Sequence, residues 1–181
     1  RRSRVLPRAL GLRGELTGGC CRWRRAFNPN IPSEECFISP MRGRAEGIVY
    51  ATKPLSYQGQ LIEDFWFRFE KGKVVKAGAR TGETLLQTMI AMDEGAAYLG
   101  ECALVPQHSP IAEMGFLFYN TLFDENAACH LALGCGFADT IENFQNRSLD
   151  ECRELGVNDS MIHEDFMIGC GSMDIDAVCE N

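Results

Sequence analysis

Short runs that alternate between apolar and polar residues fill much of the first half of the chain and predict β-strands. Residues 61–70 place Phe65, Phe67 and Phe69 on one side, as a half-buried strand requires. A Lys-Gly-Lys sequence follows at once and is typical of a hairpin turn. The predicted strands are 47–52, 61–70 and 74–79, and the predicted turns are 56–60 and 71–73.

Helical spacing replaces this alternation in two places. Residues 81–100 bring Leu85 and Met89 onto one face and predict an amphipathic helix, with the Met side chains as core filler. Residues 148–156 begin with a Ser followed three positions later by a Glu, and end in Gly. This pattern predicts a short helix with a capping box and a glycine stop.

A third predicted helix spans residues 122–134, because the segment is rich in Ala and Leu and offers Asp124 or Asn126 as a cap. It would carry Glu125 in its first turn and His130 about 1.4 turns later. The pair could form the wall of a metal site. Alternatively, the Glu is there because a helix N-terminus favours acids, and the His is an ordinary core residue.

Two further segments combine predicted strand with potential metal ligands. Residues 100–106 form a short apolar strand in which Glu101 is either buried beside a cation or exposed at the strand end. Residues 161–168 predict a strand that presents His163 and Asp165 on the same face. Two such side chains can share one metal ion, or they can form a simple His–Asp hydrogen bond.

The remaining polar candidates lie in predicted loops. Ser33 precedes Glu34 and Glu35, which either begin a helix or supply one inward-facing metal ligand. His108 lies in a Pro-bounded loop. Residues 115–120 are a further strand candidate that leads into the predicted helix of residues 122–134.

Charge divides the chain unevenly. Residues 1–26 hold eight Arg and one Glu, a formal charge of +7, whereas residues 27–181 carry −14. The Arg-rich segment is either a basic targeting or nucleic-acid-binding arm or a stretch outside the folded domain, and we expect the second. The acidic remainder argues against nucleic acid as the partner.

Cysteine usage indicates a reducing compartment. The nine Cys residues are odd in number, none forms a CxxC pair, and several lie in apolar runs. We therefore expect a cytoplasmic protein without a disulfide framework or a cysteine zinc site. No run approaches the roughly 20 apolar residues that a membrane span needs, so we expect no membrane partner.

Taken together, four segments contribute carboxylates or imidazoles of the kind that bind divalent ions such as Zn, Co or Mn. Two ions about 3.5–4 Å apart can clamp a tetrahedral intermediate, so this set indicates a dinuclear hydrolase. The candidates are Glu35, Glu101, Glu125, His130, His163 and Asp165.

The amino-acid sequence from about Phe27 to Asp176 resembles that of the thermophilic metallo-aminopeptidase family of aminopeptidases T and S. The motifs include Asn-Ile-Pro-Ser-Glu-Glu at 30–35, Gly-Glu-Cys-Ala-Leu-Val-Pro at 100–106, His-Leu-Ala-Leu-Gly at 130–134 and His-Glu-Asp-Phe-Met-Ile-Gly at 163–169. Further matching motifs lie at 51–57, 61–65, 93–96 and 117–127.

The resemblance implies a two-metal enzyme that removes N-terminal residues from peptides through a metal-activated hydroxide. The family's metal ligands fall on the six candidates above, and either Glu35 or Glu101 would carry the proton. The family is also expected to form homodimers. The predicted fold is α+β: a curved, largely antiparallel sheet with packed helices and a metal site at loops and element ends.

The chain departs from the family pattern in two ways. A family Tyr thought to assist the reaction is replaced by Phe137, so another group, such as Tyr119, substitutes or activity changes. The family's N-terminal domain is missing before residue 27, and the C-terminus ends sooner. We expect residues 27–181 to be the catalytic portion. The alternatives are a weak or inactive metal-binding or dimerisation fragment, and a nucleic-acid-binding protein acting through its Arg-rich start.

Overall fold

The computed structural model describes residues 34–176. The Arg-rich segment of residues 1–26, and the prediction made for it, lie outside the described residues. Within this range the chain forms short strands, short helices and long connections. The strands are β1 Cys36–Ile38, β2 Gly47–Tyr50, β3 Leu55–Tyr57, β4 Gln60–Ile62, β5 Trp66–Glu70, β6 Lys73–Gly78, β7 Leu99–Leu104, β8 His130–Gly134 and β9 His163–Met167. The α-helices are α1 Glu83–Ile90, α2 Pro110–Met114, α3 Thr121–Asp124 and α4 Leu149–Glu154.

Every named strand pair is antiparallel, which confirms the predicted α+β fold with a largely antiparallel sheet. The strands form a four-stranded sheet in the order β1-β7-β8-β9, a three-stranded sheet in the order β2-β5-β6, and the hairpin β3-β4. None of the helices in residues 34–176 has the length and apolar character needed to cross a bilayer.

The hairpins and the aromatic alternation follow the sequence closely. Phe65, Phe67 and Phe69 are all buried. Lys71 and Gly72 have φ values of 49° and 78° at the turn between β5 and β6, as a tight hairpin requires. The predicted strand of residues 61–70 is in fact divided between β4 and β5.

The core lies between the two larger sheets. Phe67 of β5 packs edge-on against Phe166 of β9, with ring centroids 5.0 Å apart. Leu131 and Leu133 of β8 are buried in the same cluster. One face of the four-stranded sheet is therefore covered by apolar side chains. The residues that alternate with them along β8 and β9 point to the opposite face.

The largest correction concerns residues 122–134, which do not form one helix. The helical part ends after α3 and a single 3₁₀ turn, Glu125–Ala127, and His130 begins strand β8. This strand pairs with β7 on one side and β9 on the other. Its Ala and Leu residues favour helix in isolation, but hydrogen bonding on both edges outweighs that preference.

Two smaller predictions are also wrong. The helix predicted over residues 81–100 is shorter, because it stops at Ile90 and the chain then turns around the Asp93 carboxylate, which accepts a hydrogen bond from the Ala96 N–H at 2.8 Å. Residues 115–120 form no strand, and residues 34–35 do not begin a helix, which was one of the two alternatives for them. By contrast, the capping box of α4 is confirmed.

Candidate metal centre

Strand alternation places four of the predicted ligands on the face of the four-stranded sheet that is turned away from the core. Ala132 of β8 is paired with Glu101 of β7 on one side and with Asp165 of β9 on the other. His130 lies two residues before Ala132 and His163 two residues before Asp165, so all four side chains point the same way. The predicted shared face of His163 and Asp165 is confirmed by this register.

Glu35 joins the group from the residue just before β1. Its Oε2 lies 3.1 Å from His130 Nε2, and both side chains are almost completely buried. Because β1 pairs with β7, the residue two positions before Phe37 falls beside the ligand face. Of the two alternatives for the segment after Ser33, the structure shows the one in which Glu35 faces inward.

His163 makes the second set of contacts. Its Nε2 lies 3.0 Å from Glu101 Oε2 and 3.4 Å from Asp165 Oδ1. Both carboxylates are buried, whereas the His163 side chain is 26% exposed. His163 is therefore the member of this group that solvent reaches most easily.

Both imidazoles are held by the backbone on the side away from the carboxylates. His130 Nδ1 donates to the Ala128 carbonyl oxygen at 3.1 Å, and His163 Nδ1 donates to the Cys135 carbonyl oxygen at 2.7 Å. A ligating His usually donates its second N–H in this way, which fixes the ring and directs the other nitrogen at the metal. The two backbone hydrogen bonds would therefore orient both rings if they ligate a metal.

The donor atoms form two overlapping groups, each compact enough to hold one ion. Glu35, Glu101 and His130 offer atoms that lie within 4.8 Å of one another, and so do Glu101, His163 and Asp165. Glu101 belongs to both groups. A carboxylate shared in this manner is suited to bridge two cations.

Glu125 reaches the centre from the other side, at the start of the 3₁₀ turn that follows α3. It is 6% exposed and its side chain contacts Asp165. The predicted pairing of Glu125 and His130 along one helix is wrong, but both residues still converge on the same centre. The helix is replaced by a turn that lies against β9.

Charge provides a test of whether cations fit. Glu35, Glu101, Glu125 and Asp165 are four buried or nearly buried carboxylates, and only two imidazoles lie among them. Buried carboxylates are costly unless they are paired or ligate a metal. Two divalent ions would balance four carboxylates with both imidazoles neutral, so the donor set fits a pair of such ions.

The pKa shifts describe how the same groups behave as an acid–base cluster. Burial opposes charge on His130, but the contacts with Glu35 and Asp165 outweigh it and raise its pKa to about 9. Burial also opposes charge on His163, but its contacts with Asp165 and Glu101 outweigh this effect and raise the pKa of His163 to about 11. Burial raises the pKa of Glu101, whereas His163 holds that of Asp165 low against burial. Binding a metal to these imidazoles must therefore release protons.

The centre opens into a cleft of about 530 Å³ whose mouth is partly aromatic. Phe37 and Phe137 pack edge-on at its wall, with ring centroids 5.2 Å apart, and the Phe137 ring lies 4.8 Å from that of His163. Tyr119, considered as a substitute for the missing family Tyr, is 65% exposed and does not line this cleft.

Sequence reasoning missed two acidic residues of the cleft, Asp139 and Glu164. Asp139 lies in the loop after β8, where the sequence shows only a glycine-broken exit from a supposed helix. Strand alternation directs Glu164 to the face opposite His163 and Asp165, so the sequence pattern does not connect it with the cleft. A correct strand assignment for residues 130–134 would have placed the Asp139 loop beside the ligands.

Comparison with known proteins gives the family of the chain. The sequence profile of the thermophilic metalloprotease family M29 matches residues 17–181. Aminopeptidase T from Thermus aquaticus is 48% identical over 157 residues, which cover 87% of this chain and 38% of the relative. Aminopeptidase AmpS from Bacillus subtilis strain 168 is also 48% identical, over 84% of this chain and 37% of the relative.

A solved structure, wild-type AmpT from Thermus thermophilus, superposes with a TM-score of 0.70 at 42% identity and covers 87% of this chain and 38% of that one. The chain thus spans less than two fifths of the length of these relatives. Because the family profile matches most of the sequence, the chain belongs to the thermophilic metalloprotease family M29.

Proposed function

We propose that this chain carries a two-metal peptidase centre that removes N-terminal residues from peptides. The observation that carries the proposal is the pair of compact donor groups that share Glu101. The names of the relatives, aminopeptidase T and aminopeptidase AmpS, support the same reaction class.

Each ion would have its own imidazole. Glu35, Glu101 and His130 would hold one ion, and Glu101, His163 and Asp165 the other, with Glu125 beside Asp165. Zn, Co and Mn all accept such oxygen and nitrogen ligands. When bound, the pair would supply Lewis acidity toward a peptide carbonyl and acidify a water molecule.

The protein's own groups would position the substrate and move the proton. Glu101 belongs to both donor groups, so its carboxylate would be taken up in holding both ions. Glu35 belongs to one group only, and we therefore assign it the proton transfer from the attacking water to the leaving amine. Phe37 and Phe137 would exclude bulk water from one wall of the cleft.

Metal stoichiometry tests the proposal directly. We expect the purified chain to bind two Zn²⁺, Co²⁺ or Mn²⁺ ions, measured by calorimetry and elemental analysis, and to hydrolyse L-leucine p-nitroanilide. His163→Ala should lose at least one ion and most of the turnover. His108→Ala is the matched control, because His108 is 81% exposed and outside the cleft. A chain that binds no divalent ion, or a His163→Ala variant that binds both, would contradict the two-metal centre.

A second candidate function is metal binding without efficient turnover. It is favoured by Phe137, which brings no hydroxyl to the wall of the cleft where the family pattern has Tyr. Two bound ions with no hydrolysis of any amino-acid anilide would select this candidate over the first.

We also propose a reducing, cytoplasmic setting and a homodimer. All six Cys residues that the structure describes are free, as expected where thiols stay reduced. Light scattering of the purified chain would test the dimer, and retention of the free thiols in cell extracts would test the compartment.

A further inference from the structure

An aminopeptidase must recognise a feature that an internal peptide bond lacks, namely a free N-terminal ammonium group. The inference below rests on the proposed function, because it assigns a residue to that recognition. The cleft is lined by several carboxylates, and the part of its lining that the structure describes contains neither Lys nor Arg. Two of its acids, Asp139 and Glu164, lie outside the set assigned to metal binding.

Asp139 lies in a loop that hydrogen bonds hold firmly against the sheet. The Phe137 N–H donates to Ser39 Oγ at 2.7 Å, and Thr140 Oγ1 donates to the Phe137 carbonyl at 2.6 Å. The Gly136 N–H donates to the Asn158 carbonyl at 2.8 Å. The backbone on both sides of Asp139 is therefore held against the sheet, and Asp139 and Phe137 both line the cleft.

One oxygen of Asp139 is left unsatisfied. Its Oδ1 is closed to solvent and has no hydrogen-bond partner among residues 34–176, and no ion pair involves this side chain there. Burial raises the pKa of Asp139, against the hydrogen bond that its carboxylate accepts from its own backbone N–H. Buried polar atoms are almost always paired, so such an atom at a ligand cleft indicates a missing cation or donor.

Glu164 is the weaker candidate for the same role. Strand alternation directs it away from Asp165, and it also lines a separate depression with Tyr57 and Gln58. Its environment is therefore divided between two surfaces, whereas Asp139 belongs to the cleft alone among the described depressions.

We propose that the Asp139 carboxylate binds the N-terminal ammonium group of the substrate. The ammonium would donate to this carboxylate, and the first side chain of the peptide would lie against Phe37 and Phe137. Asp139 is thus a specificity residue: it selects peptides with a free amino end and belongs to neither donor group.

Two probes that differ only in the amino group test the assignment. L-Leucinol carries the ammonium and has no amide bond to hydrolyse, and 4-methylpentan-1-ol is the same molecule without the amino group. Calorimetry on the metal-loaded chain should show tighter binding of L-leucinol, and Asp139→Asn should reduce that preference by about 10- to 100-fold. Asp150→Asn on α4, which is 84% exposed on its side chain, should leave the preference unchanged.

The outcomes separate this assignment from the proposed function. Binding without amine preference in the unmodified chain, an unchanged preference in Asp139→Asn, or loss of the preference in Glu164→Gln would each overturn the assignment. With L-leucine p-nitroanilide, Asp139→Asn should raise KM about tenfold or more at unchanged metal content. An amine preference that depends on Asp139, in a chain that hydrolyses no anilide, would support the assignment and refute the proposed activity.

Discussion

Glu101 is the residue on which the charge arrangement of the centre depends most. It is 4% exposed and is the one carboxylate common to both donor groups within the described residues. We expect Glu101→Gln to lower the bound metal from two ions to one or fewer, and to reduce kcat about a thousandfold or more, by analogy with the loss of a major electrostatic group. Elemental analysis and steady-state kinetics would measure both.

Glu154→Gln, an exposed change on α4, serves as the control for Glu101→Gln. If Glu101→Gln retained two ions at unchanged affinity, the bridging role would be wrong.

Phe137 tests whether a hydroxyl group limits the reaction. The ring lines the cleft and lies 4.8 Å from the His163 ring, so Phe137→Tyr would bring an O–H group to the site without removing a ligand. We expect kcat to rise about tenfold or more at constant metal content, because a positioned proton donor contributes at least that much. Phe116→Tyr, on a ring that is 61% exposed, is the control. Equal rates for Phe137→Tyr and the unmodified chain would show that the hydroxyl is not limiting.

At the scale of the elements, strand β8 depends on Gly134. This residue has a φ of 102°, and a Cβ added to it would lie 2.1 Å from the Ile162 carbonyl oxygen. We expect Gly134→Ala to destabilise the fold by about 3 kcal/mol or more, since the edge of β9 would have to move. Urea unfolding followed by circular dichroism would measure the loss.

Gly59→Ala provides the matched control for that substitution. Gly59 also has a positive φ, 74°, but its added Cβ would meet no atom within 4 Å. It should therefore cost only the backbone strain, about 1 kcal/mol. Equal losses in the two variants would mean that the contact with Ile162 is unimportant.

Asp93 joins the end of α1 to the segment before β9, and its effect should depend on pH. It accepts hydrogen bonds from the Met161 N–H at 2.6 Å, from Ser160 Oγ and from the Ala96 N–H. These bonds lower its pKa in the folded state. Its contribution is thus fully present above the unfolded pKa of about 4 and is lost as pH falls through the lower folded value.

We therefore expect Asp93→Asn to cost about 1 kcal/mol at pH 7, a low figure because the carboxylate is partly exposed. The difference from the unmodified chain should shrink below about pH 4. Chemical unfolding at several pH values would show this, and a difference that grows on acidification would contradict the assignment.

The sequence predicted the fold where side-chain alternation is strong and failed where tertiary pairing decides. The phenylalanines of β5 specify their strand by themselves, and Ser148 with Glu151 specifies the start of α4. The segment His130–Gly134 does not: its composition favours helix, and only β7 and β9 make it a strand. The candidate ligands could be proposed from local sequence, whereas the position of Asp139 in the cleft became visible only once β8 was placed.

For the whole molecule, metal and fold should be linked. The ligands come from segments that extend from Glu35 to Asp165, so bound ions would hold together strands that are distant in sequence. At an ion concentration one hundred times Kd, each site should add about 2.7 kcal/mol, or roughly 5–10 °C in Tm for a domain of this size. Thermal unfolding with Zn²⁺ and with a chelator would test this.

His163→Ala should show a smaller metal-dependent rise in Tm than the unmodified chain or His108→Ala. A Tm that is indifferent to metal and chelator would argue against a site built across the fold.

The four-stranded sheet has an apolar face and a face that carries the candidate ligands, so an error in strand register would affect both faces. A slip of one residue between β8 and β9 would turn His163 and Asp165 toward the phenylalanines and push Phe166 out among the carboxylates. Such a misaligned chain would bind cations less tightly and would expose hydrophobic side chains to solvent at the same time. Metal uptake is therefore a readout of correct strand alignment as well as of ligand identity.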